Sequence, residues 1–260
     1  MIVDSHCHLE PELPVPDLLQ AMDAAGVDRA VLLAAAQAPI ASVPKLGAAL
    51  FRGCVRLPGV GMAVYRGALK SKRVVPLPRP DNDVVFDAAR EHPERFVPFA
   101  FVNASLGAEA HEELDRRLAG GAAGVKLHPW LHEYRLTDAL PVLERAAAAG
   151  IPVLAHLGTG PAEDVEAVMD RLPKLKLVLA HAGIPHLDRL WRLPGIRFDV
   201  AAPLVSPRTM RRLVKAVGPD RVLYGSDAPI GIRGSDQGHA YALPSLPDRA
   251  MGANLLDLLA

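Results

Sequence analysis

The feature that most constrains the fold of this chain is a regular alternation of short apolar segments with amphipathic ones. The apolar segments are rich in Val, Leu and Ala, as is typical of strands that are buried on both faces. Most of the amphipathic segments have helical spacing and end at a glycine or a proline, which predicts helix stops. Eight strands can be placed in this way, at 1–9, 29–34, 95–102, 124–128, 151–156, 175–181, 196–200 and 221–227.

Strands that alternate with helices predict a parallel sheet, because parallel neighbours need a crossover connection. Eight such units favour an α/β fold of the (β/α)8 or TIM-barrel type. An open doubly wound sheet is the alternative, but the glycine-rich phosphate turn that usually follows its first strand is missing. The length of 260 residues suits one barrel, so we predict a single domain over residues 1–260.

The alternation is interrupted after the second strand. Residues 38–80 are rich in Pro and Gly and contain no clear strand, so the barrel is expected to be distorted by an insertion. Such a segment is either a lid over the active-site mouth or an irregular surface excursion, and both interpretations stay open. It carries four arginines that would be either solvated charges or contacts for a substrate carboxylate, namely Arg52, Arg56, Arg66 and Arg73.

Bulk composition argues against several classes of protein. Lys and Arg together number 29, as do Asp and Glu, and this balance gives no electrostatic signature for nucleic acid or an anionic membrane. Two cysteines are too few for a disulfide framework. Neither a signal peptide nor an apolar run of membrane-spanning length is present, so we expect a cytoplasmic protein without membrane or nucleic-acid partners.

Ionisable residues recur where the predicted strands end. His6 and His8 are spaced i, i+2 in the first strand, so their side chains point to the same side. A His-x-His pair alone is a weak signal, since such a pair more often belongs to a hydrogen-bonded surface or core. Five further polar residues follow later strands, namely Lys126, His128, His156, His181 and Asp227.

The carboxyl ends of barrel strands form the active-site face, so these seven side chains would meet at one mouth. Each of them alone has an ordinary structural explanation, such as a satisfied core histidine or a turn-capping aspartate. Together they would be costly to bury without a metal ion or mutual pairing. The pattern therefore predicts a divalent metal site, where the ion would activate water and polarise a carbonyl while a His or Asp takes the proton.

Several motifs resemble those of the amidohydrolase superfamily. They are Asp4-Ser5-His6-Cys7-His8, Gly124-Val125-Lys126-Leu127-His128-Pro129, His156, His181-Ala182-Gly183 and Tyr224-Gly225-Ser226-Asp227. In this order they are most similar to the amidohydrolase-related branch, which includes aminocarboxymuconate-semialdehyde decarboxylase and resorcylate decarboxylase. The resemblance covers almost the whole chain.

The resemblance implies roles for individual residues. Zinc, or manganese, iron or cobalt in its place, would be held by His6, His8, His156 and Asp227. His181 would be the catalytic histidine, and Asp227 would also take part in proton transfer. Lys126 would be a metal ligand only if it were carboxylated to bridge a second ion, and His128 would contact substrate.

Four functions remain in consideration. The leading hypothesis is a metal-dependent hydrolase that uses metal-activated water to cleave an ester, lactone or amide of a small substrate, with a carboxylic acid as one candidate. The main alternative is a non-oxidative decarboxylase, a carbon–carbon lyase, acting on an aromatic or unsaturated carboxylic acid. A TatD-like nuclease ranks lower, because such proteins normally have a glutamate on strand four and Glu-Thr-Asp on strand eight. A non-catalytic barrel is the fourth, and homo-oligomerisation is left open.

Overall fold

The structure is a computed structural model that describes residues 1–38, 75–201, 205–229, 232–235, 238–241 and 243–260. Most of the predicted insertion at 38–80 lies outside the described residues. So do all four of its arginines, Arg52, Arg56, Arg66 and Arg73.

Eight parallel strands form one sheet in the order of the sequence, as predicted for a (β/α)8 barrel. The barrel closes where the first strand meets the chain around the eighth, since the Ser5 N–H donates to the Tyr224 carbonyl at 2.9 Å. A parallel bridge between Cys7 and Ala228 continues this closure. The strands are β1 (Val3–Leu9), β2 (Arg29–Ala34), β3 (Phe96–Phe101), β4 (Gly124–Leu127), β5 (Val153–Ala155), β6 (Leu177–Leu179), β7 (Arg197–Asp199) and β8 (Val222–Leu223).

Helices follow the strands around the outside of the barrel. They are α1 (Val15–Ala25), α2 (Asn82–Glu91), α3 (Ala108–Ala119), α4 (Leu140–Ala148), α5 (Ala162–Arg171), α6 (Leu187–Leu190), α7 (Pro207–Val217) and α8 (Ala253–Leu259). The predicted stop of α1 is confirmed, because Gly26 has a φ of 69° and caps the helix in the left-handed conformation. After β8 the chain forms an antiparallel hairpin of β9 (Ile232–Ser235) and β10 (Gly238–Tyr241).

Alternation along the strands divides the core into two parts. Side chains that point outward pack under the helices, as Leu32, Val125 and Phe198 do. Side chains that point inward form a second cluster, to which α8 adds Leu255 and Leu258. Lys126 lies between the outward-facing Val125 and Leu127 and therefore points into the barrel, where it is completely buried.

Several strands are shorter than their apolar runs predicted. The run at 175–181 forms a strand only over Leu177–Leu179, and the run at 221–227 only over Val222–Leu223. His181 and Asp227 have φ values of 53° and 55°, in a left-handed region that cannot continue a strand. After the hairpin the chain forms a 3₁₀ turn, Asp248–Met251, followed by α8. Among the described residues, no helix has the length and apolarity needed to cross a membrane.

Candidate metal centre

Three buried side chains meet inside the carboxyl end of the barrel. His6, His181 and Asp227 each offer one ligand atom, and these atoms lie within 4.8 Å of one another. The His6 Nε2 atom is 3.3 Å from Asp227 Oδ1, and the His181 Nε2 atom is 3.9 Å from Asp227 Oδ2. Two imidazoles and a carboxylate at such distances are a donor set typical of Zn²⁺ and similar ions.

The backbone at these positions is held in an uncommon conformation. The φ values of His181, Ala182 and Asp227 are all between 53° and 58°, and each such residue costs roughly 1–2 kcal/mol relative to an ordinary one. The Asp227 N–H donates to the His6 carbonyl at 2.7 Å, which ties the end of the barrel to β1. The bends turn His181 and Asp227 into the site just beyond their strands.

Asp4 hydrogen-bonds the backbone of two segments that carry site residues. Its Oδ1 atom accepts hydrogen bonds from the N–H groups of His6 at 3.0 Å and Ser226 at 2.8 Å. Burial raises the pKa of this carboxyl to about 7. Asp4 therefore links the backbone at His6 to the backbone next to Asp227, and both of these hydrogen bonds come from backbone N–H groups rather than from an imidazole ring.

Asp199, a completely buried residue of β7, was not among the predicted site residues. Its Oδ2 atom lies 2.8 Å from His6 Nδ1, on the side of the ring opposite Asp227. The sequence contained one signal for it, a single carboxylate inside the apolar run at 196–200. A buried acid in a strand needs a partner, and here the partner is a predicted metal ligand.

His8 lies beside His6 as its spacing predicted, with the two ring centroids 5.3 Å apart. Its Nδ1 atom lies 2.7 Å from the Ala34 carbonyl, which accepts, so the ring nitrogen Nδ1 carries the proton and Nε2 has a free lone pair. Burial lowers the pKa of this imidazole to about 3, which keeps it neutral near pH 7.

Lys126 brings a cation into the middle of these groups. Its Nζ atom is 3.0 Å from His6 Nε2, and its side chain is completely buried. Burial lowers the pKa of the ammonium group, while the nearby carboxylates of Asp199 and Asp227 act in the opposite direction. Burial raises the pKa of Asp227, and Lys126 opposes that rise. The charged forms of Lys126 and Asp227 therefore favour each other.

Further imidazoles continue around the mouth from His181. The His156 ring is 4.5 Å from that of His181 and 4.2 Å from that of His128, on which it stacks. The rings of His128 and His132 are 6.5 Å apart. Burial is the first cause that lowers the pKa of each of these histidines. The Trp130 ring is nearly parallel to that of His128, at 6.2 Å.

The residues present fit a divalent ion. His181 Nε2 is buried and has no hydrogen-bond partner among the described residues, and burial lowers the pKa of both His6 and His181, which favours neutral rings. The close group unites His6 and Asp227, predicted as ligands, with His181, predicted as catalytic. His8 and His156 neighbour this group without belonging to it, so the predicted four-residue ligand set remains a prediction. The same holds for Lys126 as a ligand and for His128 as a substrate contact.

Comparison with known proteins gives a match to one family model and matches to several solved structures with a similar fold. The model of the family described as Amidohydrolase matches residues 3–253. Among curated proteins, none matches the sequence.

Three solved structures illustrate the similarity of fold. An uncharacterised TIM-barrel protein from Bordetella bronchiseptica has a TM-score of 0.68 at 18% identity, with 99% of this chain and 98% of that chain covered. The 4-oxalomesaconate hydratase from Rhodopseudomonas palustris has a TM-score of 0.61 at 17% identity, with 100% and 95% covered. A dihydroxybenzoic acid decarboxylase from Polaromonas, solved with bound manganese and the inhibitor 2-nitroresorcinol, has a TM-score of 0.58 at 15% identity, with 99% and 96% covered. At these identities the likeness concerns the fold alone.

Proposed function

Because the chain belongs to the amidohydrolase family, we propose that it is a metal-dependent hydrolase that cleaves an ester, lactone or amide of a small organic substrate. The observation that carries this proposal is the buried convergence of His6, His181 and Asp227 around one point. Side chains from β1 and from the ends of β6 and β8 meet there, as catalytic groups of barrel enzymes do.

The ligand set proposed for the ion is His6, His8, His156 and Asp227. When bound, the ion would polarise the substrate carbonyl and lower the pKa of water, which is the chemistry that hydrolysis needs. Ligand type favours zinc, and manganese, iron or cobalt would suit the same nitrogen and oxygen donors. The buried neutral imidazoles supply lone pairs without a prior loss of protons.

Two residues are proposed to move protons. Asp227 would accept a proton at a carboxylate oxygen, and burial favours this because it raises the pKa of the group. His181 Nε2 lies 3.9 Å from Asp227 Oδ2, and it would take up the proton that Asp227 accepts and pass it to the leaving group. Lys126 would attract a negatively charged oxygen of the substrate, or would bridge a second ion if it were carboxylated.

We also propose that residues 38–80 belong to the single domain 1–260 and act as a lid. The two ends of this segment are paired beside the end of β2, since the Ala38 N–H donates to the Val75 carbonyl at 2.8 Å. A second bond joins the Leu77 N–H to the Ala36 carbonyl at 3.1 Å. The described ends of the segment therefore lie together on the side of the mouth. We propose that its arginines, with His128, bind a carboxylate of the substrate.

The test compares metal content in three proteins by elemental mass spectrometry. Native protein should contain about one ion per chain, and the His6→Ala/His8→Ala double variant should contain almost none. A His92→Ala/His111→Ala variant removes two histidines outside the site and should keep the ion. Hydrolysis of a panel of lactones and esters should fall roughly 1,000-fold in the first variant only. Absence of stoichiometric metal, together with activity that survives chelation, would contradict the proposal.

Decarboxylation is the second candidate, and the buried cation is the observation that favours it. The Lys126 ammonium group would attract a substrate carboxylate into the pocket, and His181 or Asp227 would protonate the carbon that carbon dioxide leaves. One structure of the same fold is named as a decarboxylase of dihydroxybenzoic acid. Release of carbon dioxide from carboxylated aromatics, without hydrolysis of lactones or esters, would select this candidate over the first. About two ions per chain would instead place Lys126 between them and favour hydrolysis.

A further inference from the structure

Asp199 uses both of its carboxylate oxygens, one towards β1 and the other towards the chain that follows β6 and β7. The Oδ2 atom lies 2.8 Å from His6 Nδ1 on β1. The Oδ1 atom accepts the backbone N–H of His181 at 2.8 Å and that of Ala201 at 3.0 Å. One side chain on β7 thus joins the backbone next to β6 to a ring on β1, with no exposure to solvent.

The first of these contacts fixes which nitrogen of His6 carries the proton. A carboxylate has no proton to donate, so the His6 Nδ1–H must donate to Asp199. The opposite nitrogen, Nε2, then carries the lone pair of the ring. An independent contact agrees, because the Lys126 ammonium group can only donate and lies 3.0 Å from that same Nε2 atom.

The second contact bears on His181. The hydrogen bond from its N–H to Asp199 Oδ1 holds a residue with φ 53° and ψ 45°, directly after β6. Ala182 follows with φ 58°, so two successive non-glycine residues keep a left-handed conformation at this bend. The hydrogen bond stabilises the bend that turns His181 Nε2 towards Asp227.

We infer that Asp199 is a positioning residue that sets the Nδ1–H tautomer of His6 and the placement of His181 at the same time. The inference rests on the proposed function in one respect, since His6 is there a metal ligand. Asp199 is not itself a ligand, because both of its oxygens are engaged and it lies behind His6 as seen from Asp227. Carboxylate–histidine pairs of this kind orient the ring and raise its basicity towards an ion.

Asp199→Asn is the decisive variant. The amide oxygen can still accept the N–H groups of His181 and Ala201, but the amide nitrogen now points a donor at His6 Nδ1. The ring must then accept at Nδ1 and carry its proton on Nε2, the atom that would bind the ion. Asp164→Asn is the matched control, since Asp164 is also buried but pairs with Arg135 near α5.

The readout is the tautomer of His6 in metal-free protein, from long-range ¹H–¹⁵N correlation spectra, followed by titration with Zn²⁺. Native protein and the Asp164→Asn variant should have His6 as the Nδ1–H tautomer. The Asp199→Asn variant should have the Nε2–H tautomer, and its Kd for Zn²⁺ should rise roughly 10- to 100-fold.

Two results would overturn the inference. One is an Nε2–H tautomer in native metal-free protein, which decides the matter even if Asp199→Asn does not fold. The other is a folded Asp199→Asn protein that keeps the Nδ1–H tautomer and the native Kd. If the tautomer changes as expected but native protein binds no stoichiometric ion, the role of Asp199 is supported and the proposed hydrolase fails.

Discussion

At the scale of single residues, the site depends on a close approach of two backbones. A Cβ atom at Gly225 would lie 2.9 Å from the His6 Cβ atom and 3.3 Å from the Ser5 Oγ atom. No flexible side-chain end stands there to give way, because the nearest atom is the first carbon of a fully buried imidazole. Only glycine therefore fits at position 225 without a steric clash, and His6 packs closely against the chain that leads to Asp227.

We predict that Gly225→Ala displaces His6, lowers the free energy of unfolding by about 1–3 kcal/mol and reduces the bound metal. Gly120→Ala is the control, since the nearest atoms to its added Cβ are at 3.4 Å or beyond. Chemical denaturation and metal content per chain would be measured for both variants. Native stability and full metal content in the Gly225→Ala variant would contradict the prediction, because they would mean that the backbone of β1 can shift to accommodate the added methyl group.

The sequence indicates which residues belong to the site better than it indicates which residues they contact. His6, His181 and Asp227 were recognised because polar residues at the ends of apolar runs are unusual. Asp199 was overlooked, because its role depends on contacts with residues 193 and 18 positions away in the chain. Such pairings become visible only when the folded barrel brings the residues of β1, β6 and β7 together.

At the scale of secondary-structure elements, a buried asparagine at the start of α2 joins this helix to the end of β3. Asp81 caps this helix by accepting the Asp83 N–H at 3.1 Å. Asn82 has a different task. Its amide donates to the Phe101 carbonyl at 3.0 Å and accepts the Phe101 N–H at 2.8 Å, at the end of β3.

We predict that Asn82→Ala lowers the free energy of unfolding by about 2–3 kcal/mol, because both backbone groups of Phe101 lose their partner in a buried place. Asp81→Ala removes only the helix cap and should cost about 1 kcal/mol. Urea denaturation of the two variants separates these effects. Equal losses in both would indicate that water satisfies Phe101 after the substitution.

Strand positions followed from apolar runs, whereas strand lengths did not. A run of Val, Leu and Ala continues past Leu179 to Ala180, yet the ladder stops because the next residue is bent into the left-handed region. That bend is held by Asp199 on another strand, so no local pattern indicates it. The eight-strand barrel could be predicted from sequence, but the strand ends that form the site could not.

At the scale of the whole molecule, the carboxyl end of the barrel concentrates buried titratable groups. Burial is the first cause that lowers the imidazole pKa in His6, His8, His128, His132, His156 and His181. Burial likewise raises the pKa of three carboxyls, Asp4, Glu10 and Asp227. The two sets have opposite effects on the dependence of stability on pH.

We predict that metal-free protein loses stability as the pH falls below about 6.5. In this range the histidines of the unfolded chain become protonated, whereas those of the folded protein stay neutral because their pKa values are lowered. The unfolded chain then binds more protons, so acid favours unfolding by roughly 1.4 kcal/mol per pH unit for each proton of difference. The three carboxyls act in the reverse sense, because the folded state holds their protons up to higher pH. Because the six imidazoles outnumber the three carboxyls, we expect the free energy of unfolding to decrease as the pH falls.

Thermal unfolding of chelated protein between about pH 4.5 and 7.5 checks this expectation. The midpoint should fall on the acid side, and added Zn²⁺ at neutral pH should raise it by mass action. A midpoint that rises on acidification would mean that the carboxyls dominate, or that the imidazoles are protonated in the folded protein.

The closure of β1 against Tyr224 and Asp227 also has a consequence for biosynthesis. A ribosome delivers Asp227 more than two hundred residues after His6 and His8. Until the chain that follows β8 emerges, the nascent chain has two adjacent imidazoles but no Asp227 carboxylate beside them. The growing polypeptide therefore cannot bring His6, His181 and Asp227 together before Asp227 is made, and the proposed ion would find its full set of ligands only after that point.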